Sequence, residues 1–216
     1  MHELAFQVRG AEPLRRSVSP AVTLHLEAAC AQPNQAVEAA ILNCQVRIEA
    51  QRRRYAAAEQ TQLRDLFGEA ERWGETLRPL LWTNLAVTLP SFTGSLCVDL
   101  SLPCSFDLNK VSSKYFQGVG NSGVPLTLLF SGTVFFRAAD HQLQTAPIPW
   151  NTEARFSLAP EIWRAAVDLH HANTARLDLR RDIFERLYEY KVREGLATFD
   201  DAVQRMMDEV AGVRTS

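Results

Sequence analysis

PLTLLFSGTVFFR, residues 125–137, is the strongest strand pattern in the chain. Apolar side chains occupy both parities of this segment, with Leu126, Leu128, Phe130, Val134 and Phe136 on one and Leu129 and Phe135 on the other. A strand that is apolar on both faces is buried on both, so we predict a central strand here. The wider region 81–150 consists of successive strand patterns with no catalytic motif between them, which favours a protein built for binding.

The composition is that of a folded protein of 216 residues, which is one large domain or one domain with an appendage. Hydrophobic residues make up 46% and charged residues 22%, which argues against disorder. The net charge of −2 provides no global basic field for binding nucleic acid. Because no run of eighteen apolar residues and no secretory signal pattern is present, we expect a cytoplasmic protein without a transmembrane segment.

Alternation with a period of two marks the other predicted strands. It occurs first in ELAFQVR (3–9), PAVTLHLEA (20–28) and LNCQVRIEA (42–50). Residues 85–89 and 96–102 alternate as well and flank the turn PSFTGS (90–95), so we expect these two strands to form a hairpin. A last strand is expected around residues 143–150.

Two regions have helical periodicity. Residues 55–78 are rich in helix formers, and three apolar residues share one helix face: Leu63, Leu66 and Phe67. This region is predicted to be a helical insertion between strands. Helices return at Pro160, which suits a first helical turn, and a helix that stops at Gly195 is followed by one that begins at Thr198.

Strands followed by a helical tail predict an α+β fold, and short turns between the strands favour antiparallel pairing. We therefore expect an antiparallel β-sandwich of about seven strands, with a helical insertion and a C-terminal helical segment packed on it. Residues 1–155 are predicted to form the sandwich body, with the insertion near 55–78. Residues 156–216 are predicted to form the helical segment of the same domain.

The four cysteines, Cys30, Cys44, Cys97 and Cys104, contain no CxxC pair. In a reducing compartment we expect free thiols that behave as small apolar residues. A zinc site formed by all four thiolates is the alternative. Its ligands would be widely spaced, whereas structural zinc sites use closely spaced ligands on turns.

No catalytic, cofactor-binding or metal-binding residue is predicted. Adjacent residues on a helix point about 100° apart, so His170 and His171 are not placed to chelate one metal. We expect them to cap carbonyl groups at the C-terminal end of the helix that begins at Pro160. The chain lacks HExxH, GxSxG and phosphate-loop motifs.

Core packing is the expected role of the four tryptophans, Trp73, Trp82, Trp150 and Trp163. Tryptophan is also enriched in the energetic centres of protein interfaces. If the protein has a docking surface, Trp73 and Trp82 are the candidates, because they flank the charged segment EAERWGE (69–75). The basic run Arg52–Arg53–Arg54 could hold an acidic partner or a phosphate, although such a run is more often a solvated strand end.

Several sequence blocks together resemble one bacterial family of unknown function. They are ERWGETLRPLLW (71–82), PSFTGS (90–95), SSKYF (112–116), VPLTLLFSGTVFFR (124–137) and RRDIFERLYEYKVREGL (180–196). The resemblance spans about residues 1–210 in the same order. Members of that family are often encoded beside high-affinity uptake [NiFe]-hydrogenases, so the resemblance implies an accessory protein associated with a hydrogenase. It carries over no catalytic residue.

The first 50 residues also resemble export chaperones of the SecB type, in an FQV-like first strand and the P-x-V-x-L-x-L strand that follows. This resemblance implies a chaperone or peptide binder with an exposed apolar groove. Three functions therefore stay open: an interaction or assembly protein, a SecB-like peptide binder, and an enzyme with a cryptic site between sandwich and helices. Such a site would be lined by polar residues such as Asp107, Lys110, Lys114 and His141.

Overall fold

The computed structural model of the protein describes residues 4–31, 36–104, 110–138, 142–172, 174 and 177–213. The strands in these residues are β1 (Leu4–Pro13), β2 (Ala21–Cys30), β3 (Ala36–Val37), β4 (Ala39–Ile48), β5 (Leu80–Leu89), β6 (Phe92–Thr93), β7 (Ser95–Pro103), β8 (Val124–Arg137), β9 (Leu143–Pro147) and β10 (Glu153–Leu158). The helices are α1 (Ala57–Gln62), α2 (Arg64–Phe67), α3 (Trp73–Thr76), α4 (Lys110–Gly118), α5 (Pro160–Asp168), α6 (Arg181–Arg193) and α7 (Phe199–Val213).

The strands form two main antiparallel sheets. The first sheet has the order β1-β2-β7, and the second has the order β10-β8-β4-β5, with β9 also paired to β8. A two-stranded sheet joins β3 to β6. The α+β antiparallel fold class is therefore confirmed. More strands are described than the expected seven, because the sequence analysis predicted neither the two-residue strands β3 and β6 nor β10, which follows the last predicted strand.

One apolar core lies between the inner faces of the two main sheets. Phe6 of β1 stacks on Phe130 of β8 with 4.1 Å between ring centroids, so the two sheets face each other. Such an aromatic pair contributes about 0.5–1.5 kcal/mol beyond its buried area. The alternation seen in the sequence matches this arrangement, since Val22, Leu24 and Leu26 of β2 are fully buried.

Strand β8 is central to the second sheet, as its sequence predicts. It pairs with β4 on one side, and with β10 and then β9 on the other. The change of partner falls near Gly132, which has a φ of +143° and leaves no room for a side chain. Burial on both faces is only partial, because Ser131 is exposed and Leu129 is half-buried on the outer face.

The hairpin expected from residues 85–89 and 96–102 is absent. Strand β5 pairs with β4 in the second sheet, whereas β7 pairs with β2 in the first. The chain crosses from one sheet to the other between them, through β6. Alternation assigns each side chain to a face but does not choose the neighbouring strand, which is why the sequence misled here.

The predicted helical insertion is confirmed. Short helices α1, α2 and α3, together with two turns of 3-10 helix, occupy most of residues 50–76. Leu63 is fully buried and Phe67 nearly so, in agreement with the predicted apolar face. In α4, Tyr115 is buried and Val111 is exposed. Asp107 lies outside the described residues.

The chain divides into two compact units, one up to residue 174 and one from residue 175. Helix α5 belongs to the first unit, where it contacts β1 and β2. The predicted segments, residues 1–155 and 156–216, stay a prediction. That both units form one domain stays a prediction. No helix in the described residues combines the length and the apolar character needed to cross a membrane.

Candidate functional site

Trp73 and Trp82, the predicted partner-surface aromatics, are both buried in the core, with 6% and 3% of each residue exposed. The Trp73 indole donates a hydrogen bond to the Gly68 carbonyl oxygen at 3.0 Å, and the Trp82 indole donates to the Pro103 carbonyl oxygen at 2.8 Å. Their polar edges are therefore already satisfied inside the protein. Neither residue offers a docking surface in this structure.

A β-bulge explains why Trp82 points inward. In the β4–β5 pairing, Val46 lies opposite Thr83 and Arg47 lies opposite Leu81, so Trp82 is the extra residue. The bulge shifts the parity of β5, so the inward positions change along the chain from even numbers, including Trp82, to odd numbers, including Leu89. The sequence alternation at residues 85–89 gives no sign of this shift.

The arginine run is divided between surface and interior. Arg52 and Arg54 are exposed, but only 4% of the Arg53 side chain is exposed. Arg53 Nη2 donates to Glu59 Oε1 at 2.7 Å and to the Ser122 carbonyl oxygen at 3.2 Å. Arg53 is thus part of an internal ion pair, and only its two neighbours are available to a partner.

Glu59 is held as a carboxylate by this arrangement. Burial alone would raise the pKa of the Glu59 carboxyl, but hydrogen bonds from Arg53 and from the backbone N–H groups of Gly120 and Ala56 hold it below its usual value. The pair ties the start of the helical insertion to the loop that precedes β8. Its role is structural.

Two tyrosine hydroxyls extend this internal polar cluster. The Tyr55 hydroxyl donates to the Ala50 carbonyl oxygen at 2.8 Å, so the Tyr115 hydroxyl, 2.8 Å away, donates to Tyr55. Burial raises the pKa of both hydroxyls. Both phenols therefore stay protonated at neutral pH and act as packing and hydrogen-bonding groups.

The cysteines are free thiols with different accessibility. Cys44 and Cys104 are buried, Cys30 is half-buried and Cys97 is exposed. Burial raises the pKa of the Cys44 and Cys104 thiols to about 12, which keeps them neutral and unreactive. Among the described residues, no group of three or more His, Cys, Asp or Glu side chains could hold a metal ion.

His170 confirms the capping prediction for the end of α5. One ring nitrogen lies 3.3 Å from the Ala166 carbonyl oxygen of the last helical turn. The other ring nitrogen lies 3.0 Å from the Ser17 carbonyl oxygen. The histidine therefore links the helix end to the loop that precedes β2. His141, proposed for a cryptic enzyme site, lies outside the described residues, and Lys114 instead pairs with Asp65.

Sequence signals at the ends of α6 and α7 define the helix pair of the second unit. The N–H groups of Gly195 and Leu196 donate to the carbonyl oxygens of Val192 and Lys191, which is a Schellman motif with Gly195 at φ +66°. Thr198 and Asp201 then exchange hydrogen bonds in a capping box. The predicted stop and start are both confirmed.

This helix pair exposes most of its apolar side chains. Large apolar residues that are at least 39% exposed are Leu177, Leu179, Phe184, Tyr188, Val192, Val203, Met206, Met207 and Val210. Within the described part of the second unit, Ala202 is the one buried residue. We call the groove of about 1020 Å³ between α6 and α7, with its apolar lining, the helix-pair groove.

The charges beside the helix-pair groove differ between the two helices. Helix α7 carries Asp200, Asp201, Asp208 and Glu209 against a single cation, Arg205. Arg205 is already paired with Glu194 and Glu209. Helix α7 therefore carries an excess of negative charge, whereas the charged side chains that line the groove itself, Arg186, Glu189 and Arg193, belong to α6.

The sequence shows the apolar stripe of α7 but does not show whether that stripe is buried or exposed. Val203, Met206 and Val210 recur at helical spacing, and this pattern is the same whether the face packs on the protein's own core or faces outward. Tertiary contacts with other elements, rather than periodicity along the chain, determine whether the face is buried. The tryptophans named in the sequence analysis as candidates for a docking surface, Trp73 and Trp82, are buried, whereas the stripe of α7 is exposed.

Comparison with known proteins gives a family but no established function. A family model described as "Family of unknown function (DUF6084)" matches residues 1–215. No curated protein matches the chain.

Two solved structures of β-glucosidase 3B from Thermotoga neapolitana show a distant likeness. The complex with α-D-glucose is 12% identical with a TM-score of 0.26, and the complex with glycerol is 12% identical with a TM-score of 0.27. Each match covers 72% of this chain and 17% of the glucosidase chain. At these TM-scores the likeness carries no argument about this chain.

Proposed function

Because this chain belongs to the DUF6084 family of unknown function, we propose its function from its own surface. It is a non-catalytic interaction protein that binds a protein partner in the helix-pair groove. The single observation that carries this proposal is the exposure of the apolar residues of α6 and α7. Met207 is 62% exposed and Val210 59% exposed on a helix whose spacing would otherwise bury them.

The size of the second unit supports a partner. Residues 175–216 form a unit close to the length of about 40 residues below which domains usually need disulfides, metals or association for stability. Two short helices with one buried alanine do not form a core by themselves. A third amphipathic helix laid in the groove would supply the missing apolar contacts.

The charge pattern defines the partner's chemistry. A docking helix that carries an apolar stripe flanked by Lys or Arg would match the acidic side chains of α7. A second copy of this chain would instead bring the same excess of acidic residues on its own α7. We therefore commit to a different protein with basic residues beside its apolar stripe.

The resemblance of the sequence blocks 71–82, 90–95, 112–116, 124–137 and 180–196 supports a hydrogenase as the partner system. We propose that the docking protein is a subunit or maturation factor of an uptake [NiFe]-hydrogenase, and that the encounter takes place in the cytoplasm. One of these blocks contains α6 itself, so the resemblance and the exposed surface coincide there.

The test is affinity purification of the tagged full-length chain from a host that produces the hydrogenase, with the hydrogenase subunits and maturation factors quantified by mass spectrometry. Met207→Asp places a charge in the groove and should reduce recovery of the partner at least about tenfold. Leu143→Asp is the matched control, because Leu143 is 58% exposed on β9 in the other unit. It should leave recovery unchanged.

Three results would overturn the proposal. The first is equal recovery of hydrogenase components with wild type and Met207→Asp. The second is recovery of no hydrogenase component at all. The third is a dimer of the chain, measured by sedimentation, that Met207→Asp dissociates, since the groove would then hold a second copy.

A chaperone-like peptide binder is the second candidate, because an open groove with two methionines adapts to many apolar sequences. Binding of unrelated unfolded proteins with similar affinity, abolished by Met207→Asp, would favour this candidate over a dedicated hydrogenase accessory protein.

A further inference from the structure

A second groove, of about 520 Å³, lies on the five-stranded sheet. Its lining includes Asn43 and Gln45 of β4, Asn84 of β5, Ser131 of β8 and the indole of Trp150. The volume falls within the range of small-molecule sites. None of these side chains is charged, so the groove suits a neutral ligand.

Strand register places the polar side chains side by side on the outer face of the sheet. Asn43 lies opposite Ser131 of β8, and Gln45 lies opposite Asn84 of β5. Adjacent strands are about 4.8 Å apart, and same-face residues along a strand are about 7 Å apart. The amide and hydroxyl groups therefore form a flat polar patch that crosses three strands.

Trp150 is held beside this patch by a tight turn. The Thr152 N–H donates to the Pro149 carbonyl oxygen at 3.0 Å, which places Trp150 at the first central position of a β-turn. The Phe130 N–H of β8 donates to the Thr152 carbonyl oxygen at 3.0 Å, which fastens the turn to the sheet. Yet Trp150 is 91% exposed, so its ring contributes little to the core in which the chain's other tryptophans are buried.

Part of the patch is already oriented. Arg47 Nε donates to Gln45 Oε1 at 2.6 Å, and Gln45 Nε2 donates to Asn84 Oδ1 at 3.3 Å. The side chains of Asn43 and Ser131 form no hydrogen bond within the described part of the chain. A ligand would therefore meet the oriented amides of Gln45 and Asn84 on one side of the patch, and on the other side the Asn43 and Ser131 side chains, which are able to hydrogen-bond to it.

We propose that this groove is a binding site for a neutral carbohydrate. The exposed face of Trp150 stacks on the C–H face of a sugar ring, and the Asn43, Asn84 and Ser131 side chains exchange hydrogen bonds with its hydroxyl groups. A free oligosaccharide and a polysaccharide chain present the same chemistry. The inference is independent of the partner bound by the helix pair.

A single-stranded nucleic acid is the competing ligand for an exposed aromatic ring, since bases also stack on tryptophan. Phosphates, however, require several cations along the groove. The lining provides none, and the nearby Arg47 uses its Nε–H for Gln45. The groove therefore favours hydroxyl-rich, uncharged ligands.

The test is native electrophoresis of the full-length chain through gels that contain a soluble α-glucan, β-glucan or mannan. Fluorescence titration with the matching oligosaccharides separates free sugars from polymers. Trp150→Ala should weaken binding at least about tenfold, and Asn43→Ala several-fold. Trp150 is solvent-exposed, so its removal should leave the melting temperature unchanged.

Tyr188→Ala is the control, since it removes a half-exposed aromatic ring from α6. It should leave carbohydrate binding intact, as should Met207→Asp, while Trp150→Ala should leave recovery of hydrogenase components intact. Retardation by none of the three polysaccharides, together with no response to the oligosaccharides, would overturn the proposal. So would retardation that Trp150→Ala does not change, or Trp150-dependent binding of single-stranded RNA instead of sugar.

Discussion

Arg53 and Glu59 form an ion pair in which 4% and 14% of the two side chains are exposed. Removing one partner of a buried pair leaves the other charge uncompensated, which costs about 3–5 kcal/mol. We expect Arg53→Ala to lower the free energy of unfolding by about this amount in urea denaturation. Arg54→Ala, at the exposed neighbour, should change it by less than about 0.5 kcal/mol. Equal effects of the two variants would contradict an internal role for Arg53.

The same pair predicts the response to acid. The pKa of Glu59 is lower in the folded chain than its ordinary value, so the unfolded chain takes up the proton first as the pH falls. Its contribution to stability is therefore complete above the ordinary carboxyl pKa and is lost as the pH falls through the lowered folded value. The free energy of unfolding, measured between pH 7 and pH 3, should fall less steeply in Glu59→Gln than in wild type. Parallel pH profiles for the two proteins would show that Glu59 is not coupled to folding.

Strand β8 depends on one glycine where its partner changes from β10 to β9. A Cβ at Gly132 would lie 2.0 Å from the Ile41 carbonyl oxygen of β4, and its φ of +143° is strained for other residues. We expect Gly132→Ala to lower the free energy of unfolding by about 2–4 kcal/mol.

Gly74→Ala provides the matched comparison for the glycine variant, because nothing lies within 4 Å of a Cβ at that position in α3. Alanine is the better helix former, so this variant should be neutral or more stable by up to about 1 kcal/mol. Thermal unfolding of both variants measures the difference. If Gly132→Ala were as stable as Gly74→Ala, the backbones of β4 and β8 would not be too close at Gly132 to admit a side chain.

Local sequence signals predicted the positions of strands and helix ends well, but they did not predict which strands pair with each other. Alternation located β1, β2 and β4, and Gly195 with Thr198 marked the boundary between α6 and α7, because each signal acts within a few residues. The β5–β7 hairpin failed because pairing depends on which sheet accepts the strand. The burial of Trp82 and Arg53 likewise depends on features that local patterns do not contain, a bulge in β5 and the distant carbonyl oxygen of Ser122.

At the scale of the whole molecule, the chain contains one unit with a complete core and one without. The two facing sheets and helices α1 to α5 lie in the unit that ends at residue 174. A chain truncated after residue 174 should therefore fold, with a cooperative thermal transition and near-ultraviolet circular dichroism like that of the full chain. A truncated chain that is unfolded would show that the first unit depends on the second.

We propose that α6 and α7 form the docking surface for a hydrogenase component. Hydrogen–deuterium exchange of the chain alone, and of its purified complex with that component, tests it directly. We expect slower exchange of the amides in residues 181–193 and 199–213 on binding, and unchanged exchange of the amides in the facing sheets. Unchanged exchange in both helices, with new protection confined to the first unit, would contradict it.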